Sequence, residues 1–390
     1  MRNFTDKGEI GASLCIHHQG RAVVDLWGGN ASETKPWEEN TVSLVFSATK
    51  GATALAAHML VERGELDLHK PISHYWPEFA QAGKQDATVL MALNHSVGLP
   101  GLREPVSQWA FEDWDFMVDA LAREEPFWEP GTRNGYHLLT FGWTVGELVR
   151  RVSGKSLGAF FREELAEPYA LDFAIGQKEG DEDRVAHIQP FEHRDMSNVV
   201  EFERMCLEQP ESLPARAMIN SGGYSPVLRD EETGRCIPDT PRARRAELGG
   251  AGGVTNARGL ARLYALVAQP DAGPYSADLV SRMGQVSMAT QRDAILQIPT
   301  RFALGFMKSL DNHHLPLGHI LSAVLGDRAF GHVGAGGSIG FADPGAGMSF
   351  GYTMNKMGPG IWLNERGQSL VDAAYKCLGY RSRASGVWIR

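Results

Sequence analysis

Ser47-Ala48-Thr49-Lys50 sets a hydroxyl and a primary amine three residues apart. Residues at i and i+3 share one face of a helix, so a helix opening here puts the amine within reach of the serine proton. A serine nucleophile activated in this way needs no histidine. Two further segments carry groups that would complete such a site. Trp128-Glu129-Pro130-Gly131-Thr132-Arg133-Asn134-Gly135-Tyr136-His137 is a Pro/Gly-punctuated loop leading into a helix, a usual place for functional groups. A Tyr136 hydroxyl near the lysine can relay a proton to a leaving group; a tyrosine packed at a helix start is the alternative. Gly331-His332-Val333-Gly334-Ala335-Gly336-Gly337-Ser338 has four glycines in eight residues. Such a stretch lets a substrate approach the backbone closely, and an exposed edge N–H can donate to an oxyanion. A bulged or bent strand is the alternative there.

The elements that must position these groups follow from local pattern. Val42 to Phe46 is apolar and β-branched, and would deliver Ser47 out of the core. Gly51 to Arg63 is rich in alanine and leucine and reads as the serine helix, with Gly64 as its stop. Ala12–His18 and Ala22–Trp27 flank Gln19-Gly20 as a hairpin at a sheet edge. Glu65 to Phe79 reads as loop. Val145, Leu148, Val149 and Val152 keep helical spacing up to Gly154. At Gly249-Gly250-Ala251-Gly252-Gly253 the composition shifts, and Thr255 or Asn256 can cap a helix carrying Leu260, Leu263, Tyr264 and Val267. His332–Phe341 and Met348–Met354 flank the turn signal Asp343-Pro344-Gly345-Ala346-Gly347. Ser369 to Leu378 predicts a closing helix. The predicted fold class is therefore α/β (α+β by some schemes), an antiparallel sheet flanked by helices plus a mostly helical second domain. The expected domains are residues 1–60 with 248–390, and 61–247, with the active site in the cleft between them.

Composition narrows the function classes. A chain of 390 residues with 43% apolar content can bury a large core. No apolar run approaches the ~20 residues of a membrane helix, and Met1 to Glu9 has no apolar signal core. Cys15, Cys206, Cys236 and Cys377 are scattered without a C-x-x-C pair, and read as reduced thiols in a cytoplasmic protein. A net charge of -9 argues against nucleic acid as a partner. The basic cluster Arg242-Ala243-Arg244-Arg245 reads as a solvated loop. His17-His18 and His313-His314 with His319 lack metal-site spacing and read as solvated loop histidines, so no metal is expected.

Taken in order, several segments resemble the serine β-lactamase and penicillin-binding-protein superfamily, in its class C-like branch with the family VIII carboxylesterases. Phe46-Ser47-Ala48-Thr49-Lys50-Gly51 resembles the family's S-x-x-K. Gly64-Glu65-Leu66-Asp67-Leu68-His69-Lys70-Pro71-Ile72 is similar to the G-x-L-x-L-D-x-P-V that follows it, and Leu93-Asn94-His95-Ser96-Val97-Gly98-Leu99-Pro100 to L-L-x-H-T-S-G-L. Glu129-Pro130-Gly131-Thr132 with Tyr136 resembles P-G-x-x-x-x-Y. Ala251-Gly252-Gly253-Val254-Thr255-Asn256-Ala257-Arg258-Gly259-Leu260 resembles A-G-G-L-x-S-x-x-D-L. The resemblance implies a β-lactamase/transpeptidase-like fold and no cofactor. It implies Ser47 as the acylated nucleophile, Lys50 and Tyr136 as the proton-transfer pair, and the backbone N–H groups of Ser47 and Ala335 as the oxyanion hole. Lys50 must then be partly neutral, which burial and the positive end of the helix dipole both favour.

Departures from the family pattern choose among its activities. His332-Val333-Gly334 stands where lactamases and peptidases carry K-T-G, and Leu138 where they carry asparagine. Histidine is mostly neutral at pH 7 and anchors a substrate carboxylate poorly, and leucine cannot hydrogen-bond an amide. His332, Gly334, His137 and Leu138 are the expected substrate-binding residues, and the expected substrate is a short- to medium-chain acyl ester, with weak β-lactam hydrolysis as a side activity. A class C-like lactamase or D-Ala peptidase, and a catalytically weak scaffold of the same fold, are the alternatives. Gly336-Gly337-Ser338-Ile339-Gly340 also satisfies G-x-S-x-G, but no histidine follows Ser338 and a turn signal, not a helix, comes next.

Overall fold

The computed structural model describes residues 2–193, 196–269 and 273–390. Its strands are β1 (Gly11–His18), β2 (Arg21–Gly29), β3 (Ser43–Leu44), β4 (Phe173–Ile175), β5 (Gly253–Thr255), β6 (Met288–Thr290), β7 (Thr300–Phe302), β8 (Met307–Lys308), β9 (Phe330–Val333), β10 (Ile339–Asp343) and β11 (Met348–Met354). Eight of them form one antiparallel sheet in the order β2-β1-β11-β10-β9-β8-β7-β6, and β3-β5-β4 form a second, small one. Both ends of the chain thus feed the large sheet. A strand buried on both faces loses the apolar–polar alternation of a surface strand, and β10 and β11 are buried throughout.

The pleat divides the two faces. Phe341 of β10 and Phe350 of β11 lie opposite each other, and Phe341 stacks on Tyr375 of the closing helix Glu365–Cys377. One residue along, Gly340 faces Gly351, and this glycine floor receives the helix Ala257–Ala265. That helix is capped by Asn256, whose Oδ1 accepts from the Gly259 N–H at 2.9 Å, while Thr255 stays in β5. The closing helix begins a turn earlier than its apolar pattern predicts, because Asn364 accepts from the N–H groups of Arg366 and Gly367. An Asn cap of this kind satisfies two orphan donors at the helix start.

Three local expectations need correction. His332 and Phe341 belong to separate strands, because positive φ at Gly336 and Gly337 breaks the run, and the hairpin is β10–β11. His17 and His18 end β1 and are not in a loop. Pro241–Arg245 is a short helix capped by Thr240. Arg244 inside it is fully buried, paired with Asp239 at 2.9 Å and with Glu182. A cluster of cations in sequence does not say which one turns inward; the buried Asp239 and the partly exposed Glu182 decide that.

Candidate active site

The serine helix spans Thr49–Glu62 and is buried from Thr49 to Leu60, so it runs through the core. A helix with apolar or small residues on every face has no solvent side. Val45 leaves β3 with its N–H bonded to the Gly253 carbonyl at 2.9 Å, and Phe46 takes a left-handed φ of 44°. The Thr49 hydroxyl then ties the corner, donating to the Phe46 carbonyl at 2.5 Å and accepting from the Gly253 N–H at 2.8 Å. Ser47 emerges from this corner partly exposed, in the short turn that opens the helix. The first N–H groups of a helix have no intrahelical acceptor, and the Ser47 N–H has none among the described residues.

Lys50 lies one turn behind and is fully buried. Its Nζ is 3.0 Å from Ser47 Oγ, 2.6 Å from the Leu138 carbonyl and 2.7 Å from the Gly250 carbonyl. No carboxylate pairs with it among the described residues, and burial holds its pKa well below the ordinary lysine value. A neutral amine has two N–H bonds and one lone pair. With both N–H groups on carbonyls, the lone pair is left for the Ser47 hydroxyl. The Gly250 carbonyl reaches Lys50 because Gly142 and Gly250 let their backbones meet; a Cβ on Gly142 would lie 2.2 Å from the Gly250 nitrogen. Such close approach is what glycine permits.

Tyr136 packs its ring 4.8 Å below Lys50 Nζ and stacks on Phe302 and His332. Burial raises its phenol pKa, with a hydrogen bond toward Ser47 acting against the rise, so the hydroxyl keeps its proton. His332 on β9 is 3.4 Å away through Nε2, while its Nδ1 bonds the Val333 carbonyl at 2.7 Å. That carbonyl assigns the ring proton to Nδ1 and leaves Nε2 as an acceptor. Burial, then the charge of Lys50, pushes the His332 pKa down to about 3, so the ring is neutral at pH 7.

The sequence-predicted residues divide by exposure. Ser47, Leu138 and Ala335 are partly exposed, whereas Lys50, Tyr136 and His332 lie fully buried behind them. The Ala335 N–H has no acceptor among the described residues. Gly334 carries a steric demand, since a Cβ there would sit 2.0 Å from the Val45 carbonyl. It brings the end of β9 against the serine corner. Leu138 meets Lys50 through its main-chain carbonyl. His137 is a correction to the substrate-binding set. Its Nδ1 bonds the Gly135 carbonyl at 2.7 Å and its Nε2 accepts from the Leu99 N–H at 3.0 Å, so both nitrogens are committed to backbone. Ser338 is fully exposed to nothing: its side chain is sealed in the core, and Gly340 packs under Tyr264. Among the described residues, no His/Cys/Asp/Glu group has the arrangement of a metal site.

Asp293 escaped the sequence reading. Its buried carboxylate accepts the Tyr136 N–H at 3.0 and 3.1 Å, the Ile295 and Leu296 N–H groups at 2.9 and 3.0 Å, and the Thr300 hydroxyl at 3.2 Å. An acidic residue before Ala294-Ile295-Leu296 is a turn signal, but nothing local ties it to a tyrosine 157 residues away.

With this geometry in place, likeness to known proteins decides the lineage. Residues 1–371 match the model of the beta-lactamase family. The chain belongs to the beta-lactamase family. It is 33% identical over 365 residues to the esterase/beta-lactamase LipL of Mycobacterium tuberculosis, covering 89% of this chain and 77% of that protein. A crystal structure of a family VIII carboxylesterase superposes with a TM-score of 0.81 at 35% identity, covering 96% of this chain and 94% of that one. A penicillin-binding protein homolog from Caulobacter crescentus gives 0.78 at 31% identity over 96% and 94%. This beta-lactamase family member therefore has the β-lactamase/transpeptidase-like fold and is a serine hydrolase. Among its described residues, no helix is long and apolar enough to cross a membrane.

Proposed function

We propose that this chain is a serine carboxylesterase acting on short- to medium-chain acyl esters through an acyl-enzyme on Ser47. The observation that carries the choice of ester is His332, a neutral buried ring at the strand position beside the serine. A neutral ring offers no charge to hold a substrate carboxylate, and the partly exposed Leu138 adds no polar side-chain contact. The esterase names of LipL and of the family VIII structure agree with this reading.

In the proposed reaction Ser47 Oγ attacks the acyl carbonyl and its proton passes to Lys50. The tetrahedral oxyanion accepts from the Ser47 and Ala335 N–H groups, where each such donor contributes about 10²–10³ in rate. Tyr136 protonates the departing alkoxide and recovers its proton from Lys50. A water then attacks the acyl-serine with the same pair as base, releasing the carboxylic acid. Slow opening of β-lactams belongs to the same acyl-serine chemistry, and the double name of LipL favours it as a secondary activity.

The test is an active-site phosphonate followed by peptide mapping. An adduct on Ser47, with turnover of p-nitrophenyl butyrate far above that of a chromogenic cephalosporin, is the expected result. An adduct on Ser338 or none at all sinks the assignment, and faster cephalosporin turnover replaces esterase by lactamase. The pH profile is a second check. Lys50 acts in its neutral form, which gains population as pH rises, and its pKa lies well below the usual lysine value. kcat/KM should thus fall on acidification and be flat well below pH ~10. A limb centred near 10 instead would mean that Lys50 stays an ammonium at neutral pH.

A further inference from the structure

Away from the serine, three cations converge on one cavity of about 330 Å³ beside the helix Ala277–Met283. They are Arg301 on β7, Lys308 on β8 and Arg328 just before β9, and none of the cavity's lining residues belongs to the serine site. The register pairs Phe302 with Met307, so one step further Arg301 stands directly opposite Lys308. Like charges in opposite cross-strand positions repel. Lys308 is 5% exposed, and its Nζ makes one hydrogen bond, 3.1 Å to the Asp327 carbonyl. Arg301 donates to the Ser309 carbonyl at 3.2 Å. Among the described residues none of the three forms an ion pair, although the exposed Asp327 contributes one carboxylate to the cavity wall. The nearby Asp343 carboxylate is taken by the Tyr375 hydroxyl and the N–H groups of Gly345 and Ala346.

Burying an ammonium without a directly paired counter-charge is costly, and two unpaired guanidinium groups beside it leave three cations against the single carboxylate of Asp327 in the wall. An anion in the cavity removes both penalties. The remaining wall mixes apolar Val267, Val280, Val286 and Phe330 with polar Gln269, Ser281 and Gln285. We propose that this cavity is a binding site for a small organic anion with a carboxylate head on Lys308 and the arginines and a short apolar body along Val280 and Phe330. The free state is consistent with it: burial, together with Arg301 and Arg328, pushes the Lys308 pKa down to about 8, against the opposing pull of Asp327 and Asp343. A bound carboxylate restores the charged form, so binding at pH 8 takes up protons.

Octanoate and acetate titrated calorimetrically into the whole protein test this, with the serine site first blocked by the phosphonate or, if no adduct forms, with the protein unmodified. Saturable octanoate binding is expected, at least ten-fold weaker for acetate, with net proton uptake at pH 8 read from the buffer dependence of the heat. Lys308→Met keeps the aliphatic stem and should weaken octanoate binding ten-fold or more while leaving p-nitrophenyl butyrate turnover unchanged. Arg328→Gln, at an exposed position, should weaken binding without touching the core. Absence of saturable binding overturns the site, as does octanoate binding by both variants as tight as that of the unsubstituted protein. Acetate binding as tightly as octanoate overturns the apolar body, and inorganic phosphate outcompeting octanoate overturns the carboxylate head.

Discussion

Ser47 and Ser338 each sit in a recognisable serine pattern, yet their surroundings differ in every respect that chemistry needs. Ser47 opens a helix, is partly exposed, and has a lysine amine 3.0 Å from its oxygen. Ser338 lies fully buried ahead of β10, and its hydroxyl has no hydrogen-bond partner among the described residues. The glycines around Ser338 serve the backbone: Gly336 and Gly337 take positive φ to break the strand, and Gly340 makes room for Tyr264. A nucleophile needs a base on one side and an approach path on the other, and the contrast shows that neither is encoded in a four- or five-letter pattern.

That contrast can be broken by substitution. Ser47→Ala and Lys50→Met should each lower ester kcat/KM by about 10³–10⁶, because nucleophile and base act as one unit; retained turnover in either would transfer the chemistry elsewhere. Tyr136→Phe, which removes only the relay hydroxyl, should cost about 10²–10⁴, the usual span for one acid–base group. Asp293→Asn tests positioning. It turns an amide N–H toward donors now held by a carboxylate and should destabilise the fold by about 1–3 kcal/mol. A loss in kcat at little change in KM, seen by steady-state kinetics on the folded variant, is expected. An unchanged kcat with lowered Tm would make Asp293 structural only. Smallest of all, Ser338→Ala should leave kcat and KM within about two-fold, since a buried hydroxyl without a partner contributes little when removed. A large kcat loss there would erase the distinction between the two serines.

The groups that the sequence pattern singled out do meet in space. Ser47, Lys50, Tyr136 and His332 lie within one hydrogen-bonded and stacked cluster, although Tyr136 and His332 are 196 residues apart. Helix ends were legible for a local reason: Gly64 and Gly154 adopt positive φ, and Asn256 supplies a cap. His137 was misread because its environment, the Leu99 amide and the Gly135 carbonyl, is set by a loop crossing that no periodicity reports. Arg244 was misread for a similar reason, since its partners Asp239 and Glu182 act only once the chain has folded round them.

By itself the sequence determined the family, the helix behind Ser47, the alternation and turns of the outer strands, and the residue types able to carry acyl transfer. The helix, strands and turns rest on short-range steric and hydrogen-bonding preferences, which act within a few residues, and the family on motifs in a fixed order along the chain. Tertiary structure alone decided that Lys50 is buried against the carbonyls of Leu138 and Gly250, that Asp293 holds the Tyr136 backbone, and that Ser338 is sealed. Protonation state and access depend on desolvation and on partners from distant segments, and those exist only after the core has closed.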